Sequence, residues 1–142
     1  MKLLLPNELY PNIVSHLCST YPNEGGGFLV GKIHQDEQRV VEEIYPVENT
    51  FAEQEQFHRF LAESSAYQQI EDMADARGLT LLGYYHSHPN VAAVPSEYDR
   101  IHAWPFFAYL IVSIRNNQAV EERLWQLSQD RKSFIEGELL FI

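Results

Sequence analysis

The sequence predicts an α+β domain, or a mixed three-layer α/β/α one. Its expected architecture is a mixed β-sheet flanked by two long helices, with a short helix opening near residue 96. Three observations predict it. Short β-rich runs are joined by polar turns, as where "FLVGKI" (28–33) and "RVVEEIYPV" (39–47) flank "HQDEQ". Two segments, at 7–21 and 57–77, carry apolar residues at helical spacing. Two apolar runs, "LTLLGYYHSH" (79–88) and "FFAYLIVSI" (106–114), read as strands buried on both faces.

Taken in order, Leu3 to Leu5 is a short strand. Asn7 to Tyr21 reads as a helix: Leu9, Ile13, Leu17 and Cys18 share one side, and Pro11 is tolerable in the first turn. "NEGGG" (23–27) breaks it, and the hairpin of 28–47 follows. "NTFAEQEQ" is a polar connection. From Phe57 to Arg77 the apolar positions Phe57, Phe60, Leu61, Tyr67, Ile70, Met73 and Ala74 keep helical spacing, and Gly78 suits the residue just past a helix end. After the strand 79–88, Ser96 with Asp99 three residues on resembles a helix-capping box, opening a short helix toward Trp104. Beyond 106–114, "AVEERLWQL" (119–127) and "SFIEGELLFI" (133–142) read as two further strands.

A chain of 142 residues is one domain by the usual prior, so 1–142 is expected to form a single unit. Hydrophobic content of 45% and aromatic content of 13% suit a globular protein. The net charge of −10, with no Lys/Arg cluster, argues against nucleic acid as a partner, because phosphate backbones repel such a surface. Cys18 is alone, so there is no internal disulfide framework, which suits a reducing compartment. "MKLLLPNELYP" is too short for a signal peptide's apolar region, and no run is long enough to span a bilayer. A cytoplasmic protein with no membrane contact is expected.

His86 and His88 stand two apart. On a strand such residues point to the same side, roughly 6–7 Å apart at Cα. Pro89 stops the strand, and Asn90–Pro95 returns the chain to Ser96. Asp99, in the first turn of the short helix, can aim back at the same point. Two imidazole nitrogens and one carboxylate oxygen make three protein ligands. That is the count of a catalytic zinc, which keeps a position for water, whereas structural zinc is usually closed by four ligands. A bare H-x-H pair most often binds nothing. Barrels of the amidohydrolase type need roughly 250 residues. A cupin-like pattern needs a Glu a few residues past the second His, where this chain has "PNVAAVP".

The whole string "HSHPNVAAVPSEYD" (86–99) resembles the JAMM (MPN+) metalloprotease signature, H-[S/T]-H-P-x6-S-x2-D, at His86, Ser87, His88, Pro89, Ser96 and Asp99. Upstream, "EGGGFLVG" is similar to the family's E-x-x-G-x-L-x-G pattern at Glu24, Gly27, Leu29 and Gly31. The resemblance covers most of the chain and points to the small stand-alone prokaryotic branch. It implies a cytidine-deaminase-like fold and one Zn²⁺ per chain, held by His86, His88 and Asp99 with a catalytic water. It assigns Glu24 the role of general base and acid, and Ser96 a hydroxyl donated to the oxygen of the tetrahedral intermediate. The implied reaction is hydrolysis of an amide or isopeptide bond after the C-terminal Gly-Gly of a ubiquitin-like or sulfur-carrier (ThiS/MoaD-type) protein. Without room for long inserts, carrier processing is the leading expectation. Two other classes stand beside it: a non-catalytic MPN scaffold for protein contacts, and a JAMM-like domain of DNA repair or phage assembly. The scaffold usually lacks ligands that this chain keeps. No basic patch or helix-hairpin-helix appendage supports the third.

The remaining candidates have plain readings. Ser87 points away from the ligands, toward packing or support. His16, His34 and His58 are expected at the solvated surface, and His102 near the cleft or exposed. Tyr84, Tyr85, Trp104, Phe106 and Phe107 are expected in the core, and Cys18 as a small buried residue. The glycines after Glu24 permit close backbone packing or unusual φ; they are not a phosphate loop, because the required Gly–Lys spacing fails. The loops Thr50–Gln56 and Asn90–Val94 are candidates to flank a substrate tail.

Overall fold

The computed structural model describes residues 1–49 and 64–142. Thr50–Gln56, His58 and the apolar residues Phe57, Phe60 and Leu61 lie outside the described residues. Eight strands form one mixed sheet. They are β1 (Lys2–Leu5), β2 (Gly26–His34), β3 (Gln38–Val47), β4 (Thr80–Pro89), β5 (Ala108–Arg115), β6 (Gln118–Leu127), β7 (Phe134–Glu136) and β8 (Glu138–Phe141). The helices are α1 (Tyr10–Thr20), α2 (Ser64–Ala76) and α3 (Glu97–His102). The sheet order is β7-β6-β5-β4-β2-β3-β1-β8, with β1–β3, β1–β8 and β4–β5 parallel and the other neighbours antiparallel. The expected mixed sheet and the 28–47 hairpin are therefore present.

Two element boundaries need correction. Residues 133–142 are not one strand. The chain divides at Gly137 into β7 and β8, which are the two opposite edges of the sheet. The Gly137 N–H donates to the Leu124 carbonyl of β6, and the Glu138 N–H donates to the Met1 carbonyl beside β1. The link at Gly137 thus joins the two edge strands, and the sheet curls to bring them together. α1 also starts later than expected, at Tyr10, with Pro11 in its first turn. Proline lacks the N–H that the first turn does not need, so it marks a start rather than an interior. Pro22 disfavours helix at Tyr21 and ends the element. The described part of α2 ends as expected: Gly78 takes φ +70, and the Leu79 N–H donates to the Ala74 carbonyl at 2.8 Å.

The sheet buries both faces. On one, Ile13 and Leu17 of α1 meet Leu3, Leu5, Leu29, Val41, Tyr85, Leu110 and Leu124. On the other, Ala74 of α2 meets Phe28, Val30, Tyr84, Ile111 and Trp125. Alternation along β2 and β4 sends Phe28 and Tyr84 one way and Leu29 and Tyr85 the other. A bulge interrupts that alternation. Leu29 pairs with Gly83 and Val30 with Leu81, so Leu82 stands between. Arg39, buried, donates to the Leu82 carbonyl at 2.9 Å. Leu81 and Tyr84, three apart, then share a face, and the bulge decides which face His86 and His88 occupy beyond it.

Tyr84 and Tyr85 are buried as expected, but Trp104 and Phe106 are 60% and 48% exposed. They lie in the irregular connection from α3 to β5, where no second layer among the described residues covers them. The guanidinium groups of Arg131 and Arg39 sit over their rings at 5.3 and 4.7 Å. His16 is half-buried rather than solvated. Its Nδ1 lies 2.8 Å from the Tyr85 hydroxyl, because one turn of α1 lies against the reverse of β4. His34 and His102 are exposed, and Cys18 is half-buried against the first core.

Candidate metal centre

β4 carries His86 and His88 to the face shared with Tyr84 and leaves them 4% exposed each. Their Nε2 atoms face each other at 3.2 Å. Asp99 comes from α3, across the loop that follows Pro89. Its Oδ1 lies 3.2 Å from the His86 Nε2, and its Oδ2 3.1 Å from the His88 Nε2. A tetrahedral ion bound at about 2.0–2.1 Å separates its ligand atoms by ~3.3 Å. The three predicted ligands therefore already stand at the spacing of a ligand set, and they form a group able to hold a metal ion.

The protonation pattern fits as well. The His88 Nδ1 lies 3.0 Å from the Ala92 carbonyl, which can only accept, so Nδ1 carries the proton. In the neutral ring its Nε2 is then a lone pair aimed at an ionised carboxylate, an arrangement that a cation stabilises. Burial alone would raise the Asp99 carboxyl, but when the imidazoles are protonated the charges and hydrogen bonds of His86 and His88 outweigh it and hold it well below the usual carboxylate range. Burial alone would lower His86, but the charge and hydrogen bond of Asp99, with the charge of Glu24, raise it. The His86 Nδ1 is buried without a hydrogen-bond partner, so packing rather than a second hydrogen bond orients that ring.

α3 has six residues and no buried side chain, so local chemistry must hold Asp99 in place. A complete capping box does so. The Asp99 N–H donates to the Ser96 Oγ at 3.1 Å, and the Ser96 N–H donates to the Asp99 Oδ2 at 2.8 Å. One carboxylate thus caps its helix and faces both imidazoles. Ser96 is exposed, and its bond to the Asp99 N–H uses an oxygen lone pair, leaving the hydroxyl proton available.

Glu24 is 7% exposed, just before β2. Burial pushes its carboxyl up to about 7, against lowering by His86 and His88, with Asp99 raising it further. The chain reaches this place through Ser87. The Ser87 N–H donates to the Gly25 carbonyl at 3.0 Å, and the Gly25 N–H donates to the Ser87 Oγ at 3.0 Å. Ser87 does point away from the ligands, as expected, and there it clamps the residue next to Glu24. The Asn49 side chain donates to the Glu24 carbonyl at 3.0 Å. The glycines serve close approach: a Cβ on Gly27 would come within 2.6 Å of both the Tyr45 carbonyl and the Tyr85 hydroxyl. None of Gly25, Gly26 and Gly27 has positive φ.

The residues that support this centre were less visible in the sequence. Ala92 acts through its carbonyl, which no side-chain pattern announces. Glu121 receives the Ala93 N–H at 2.9 Å, and the Trp125 Nε1–H donates to the Ala93 carbonyl at 2.9 Å. The available signal was strand phase: Glu121 is in phase with the buried Trp125, an unusual place for an acid.

Two imidazoles and a carboxylate at metal-ligand spacing, with a buried acid beside them, define a candidate metal centre of hydrolytic type. The model of the family "prokaryotic homologs of the JAB domain" matches residues 6–128. The chain belongs to that family. It is 32% identical to a desampylase of Haloferax volcanii over 79% of this chain and 81% of that protein. It is also 32% identical to a probable TtuB-protein conjugate cleaving protease of Thermus thermophilus, over 68% of this chain and 60% of that protein. Among solved structures, a Desulfitobacterium hafniense protein is similar at TM-score 0.78 and 28% identity, over 99% of this chain and 92% of that one. A Salinibacter ruber protein is similar at TM-score 0.75 and 31% identity, over 100% and 92%. A JAB1/MPN domain protein of Archaeoglobus fulgidus shares the fold at TM-score 0.60 and 20% identity, over 100% and 99%. The expected JAMM membership and fold are borne out.

Proposed function

We propose that this chain is a zinc-dependent peptidase or isopeptidase that hydrolyses the amide bond after the C-terminal Gly-Gly of a ubiquitin-like or sulfur-carrier protein. The observation that carries the reading is the convergence of the His86, His88 and Asp99 ligand atoms beside buried Glu24. Membership in a family with conjugate-cleaving relatives supports the substrate class. Zinc is favoured over calcium or magnesium because two of the three donors are imidazole nitrogens. One sheet with strands from Lys2 to Phe141 supports reading 1–142 as a single catalytic domain. No helix among the described residues is long and apolar enough to cross a membrane, and the free Cys18 suits a reducing cytoplasm.

When bound, zinc polarises the scissile carbonyl and lowers the pKa of a water. The chain supplies the rest. Glu24, buried beside the ligand set, is suited to take a proton from the attacking water and return it to the leaving nitrogen. The Ser96 hydroxyl donates a hydrogen bond to the carbonyl oxygen as charge develops there. Asp99 and the capping box keep that hydroxyl at the edge of the ligand set. The products are a carrier ending in Gly-Gly carboxylate and a free amine.

The test is zinc-loaded protein incubated with carrier–Gly-Gly–X fusions and read by mass spectrometry. The expected product ends at Gly-Gly and is not formed by Glu24→Gln. Intact carriers alongside cleaved unrelated peptides would overturn the substrate class. No cleavage of either by zinc-loaded protein would overturn the enzymatic reading.

A further inference from the structure

The loop after β4 has exposed side chains and a fixed backbone. Val91 and Val94 are 55% and 44% exposed. Yet the Asn90 N–H donates to the Ile114 carbonyl at 2.8 Å, and the Ser113 hydroxyl donates to the Val91 carbonyl at 2.6 Å. The Ala93 N–H donates to Glu121, and the Ala93 carbonyl accepts from the Trp125 indole, both at 2.9 Å. Between these held groups, the Ala92 carbonyl meets the His88 Nδ1–H at 3.0 Å.

The sheet explains why these groups converge. His88 pairs with Ser113 across β4–β5, and Ser113 pairs with Glu121 across β5–β6. Directly paired residues send their side chains to the same face. Glu121 and Trp125, four apart on β6, share that face. Ser113, Glu121 and Trp125 therefore grip the backbone on both sides of Ala92. A ligating imidazole needs an acceptor on its other nitrogen to fix its tautomer and orientation. Among the described residues no acceptor meets the His86 Nδ1, so the described support is that of His88.

We infer that Glu121 and Trp125 are positioning residues: by holding Ala93 they set the Ala92 carbonyl on the His88 Nδ1–H and present the His88 Nε2 lone pair to the ligand site. The inference rests on the metal-centre reading of the proposed function and extends it to residues two strands away. It also makes the loop 90–94 a rigid part of the centre, not a cover that closes over substrate.

The experiment uses the full chain with Glu121→Leu, Glu121→Gln and Trp125→Phe. The first removes the acceptor, the second keeps an acceptor oxygen, and the third removes the indole donor while keeping a ring. Zinc affinity is read by competition with a chelator. The His88 tautomer is read from ring ¹⁵N shifts in metal-free protein. The expected result is zinc binding weakened by roughly 10–100-fold in E121L and W125F, the range for lost outer-sphere support. The Nδ1–H signature of His88 should be lost or averaged in both, while E121Q stays near wild type in both readouts. Folded E121L and W125F with wild-type affinity and an unchanged His88 signature would overturn the inference. If E121L does not fold, W125F against wild type decides. If wild-type protein takes up no zinc, the proposed function fails, and the tautomer comparison still decides the positioning claim.

Discussion

Burial leaves Glu24 with a carboxyl pushed up from 4.5 to about 7, and a raised carboxyl has a definite sign in stability. Its favourable contribution is full below the ordinary carboxyl range and is lost as pH rises through about 7. Asp99 has the opposite sign, because its value is lowered: its contribution is present above the ordinary carboxylate range and lost only in acid. Between pH 5 and 8 Asp99 is therefore constant. His86, raised by Asp99 and Glu24, loses its contribution in the same direction as Glu24. Comparison with Glu24→Gln reads the Glu24 part together with the share of the His86 shift that Glu24 causes. In chelator-treated protein the variant should gain on wild type from pH 5 to pH 8, by at most about 3 kcal/mol. Thermal melts at both pH values check this, and a pH-independent difference would contradict the burial argument. Kinetics separate the cap that Ser96 forms from its proposed role as a donor to the carbonyl oxygen. Ser96→Ala should cost about 1 kcal/mol of stability as a lost cap and on the order of 10²-fold in kcat as a lost donor. Zinc should be retained, because the backbone N–H of residue 96 still reaches Asp99.

At the scale of elements, β4 serves both of its faces. His86 and His88 face the ligand site, and Ser87 clamps Gly25 behind it through a buried hydrogen bond. Ser87→Ala leaves the Gly25 N–H unpaired, a cost of roughly 1–3 kcal/mol. It should lower kcat through Glu24 while leaving zinc stoichiometry unchanged. Ser87→Thr, which keeps the oxygen, should restore both. Metal analysis and steady-state kinetics on the pair decide it. β4 also depends on a close approach at its middle. A Cβ on Gly83 would overlap the Ala108 carbonyl across β4–β5. Gly83→Ala should destabilise by about 3 kcal/mol or more and lower zinc uptake, since the same pairing aligns the histidines. The elements themselves were largely legible. β-rich runs around a polar turn marked β2 and β3, continuous apolar runs marked β4 and β5, and Ser96 with Asp99 marked the capping box of α3. The break at Gly137 was not legible, because "SFIEGELLFI" has strand composition throughout and only the closing sheet bends it there.

For the whole molecule, a charge of −10 sets the approach of a partner. Encounter with an acidic carrier is repulsive at low salt and is relieved as screening increases. kcat/KM for an acidic carrier substrate should rise between about 20 and 150 mM salt, where the Debye length shortens from ~20 to ~8 Å. A short uncharged peptide should show no such rise. A falling kcat/KM for the carrier would place a basic patch at the docking face, against the composition argument.

The sequence by itself determined the chemistry of the centre: which residues offer imidazole or carboxylate, and that β4 and the turn of α3 can aim three of them at one point. Those are local properties, fixed by strand period and capping spacing. The tertiary structure alone decided what surrounds them. Glu24 reaches the site because β2 pairs with β4 and Ser87 holds Gly25. The bulge at Leu82 selects the face on which the histidines stand. Trp104 and Phe106, apolar by composition, remain exposed because no layer among the described residues covers the α3–β5 connection. The support of His88 passes through backbone atoms of Ala92 and Ala93, whose hydrogen-bonding groups are the same in every residue except proline. Only their placement by β5 and β6 gives them a role.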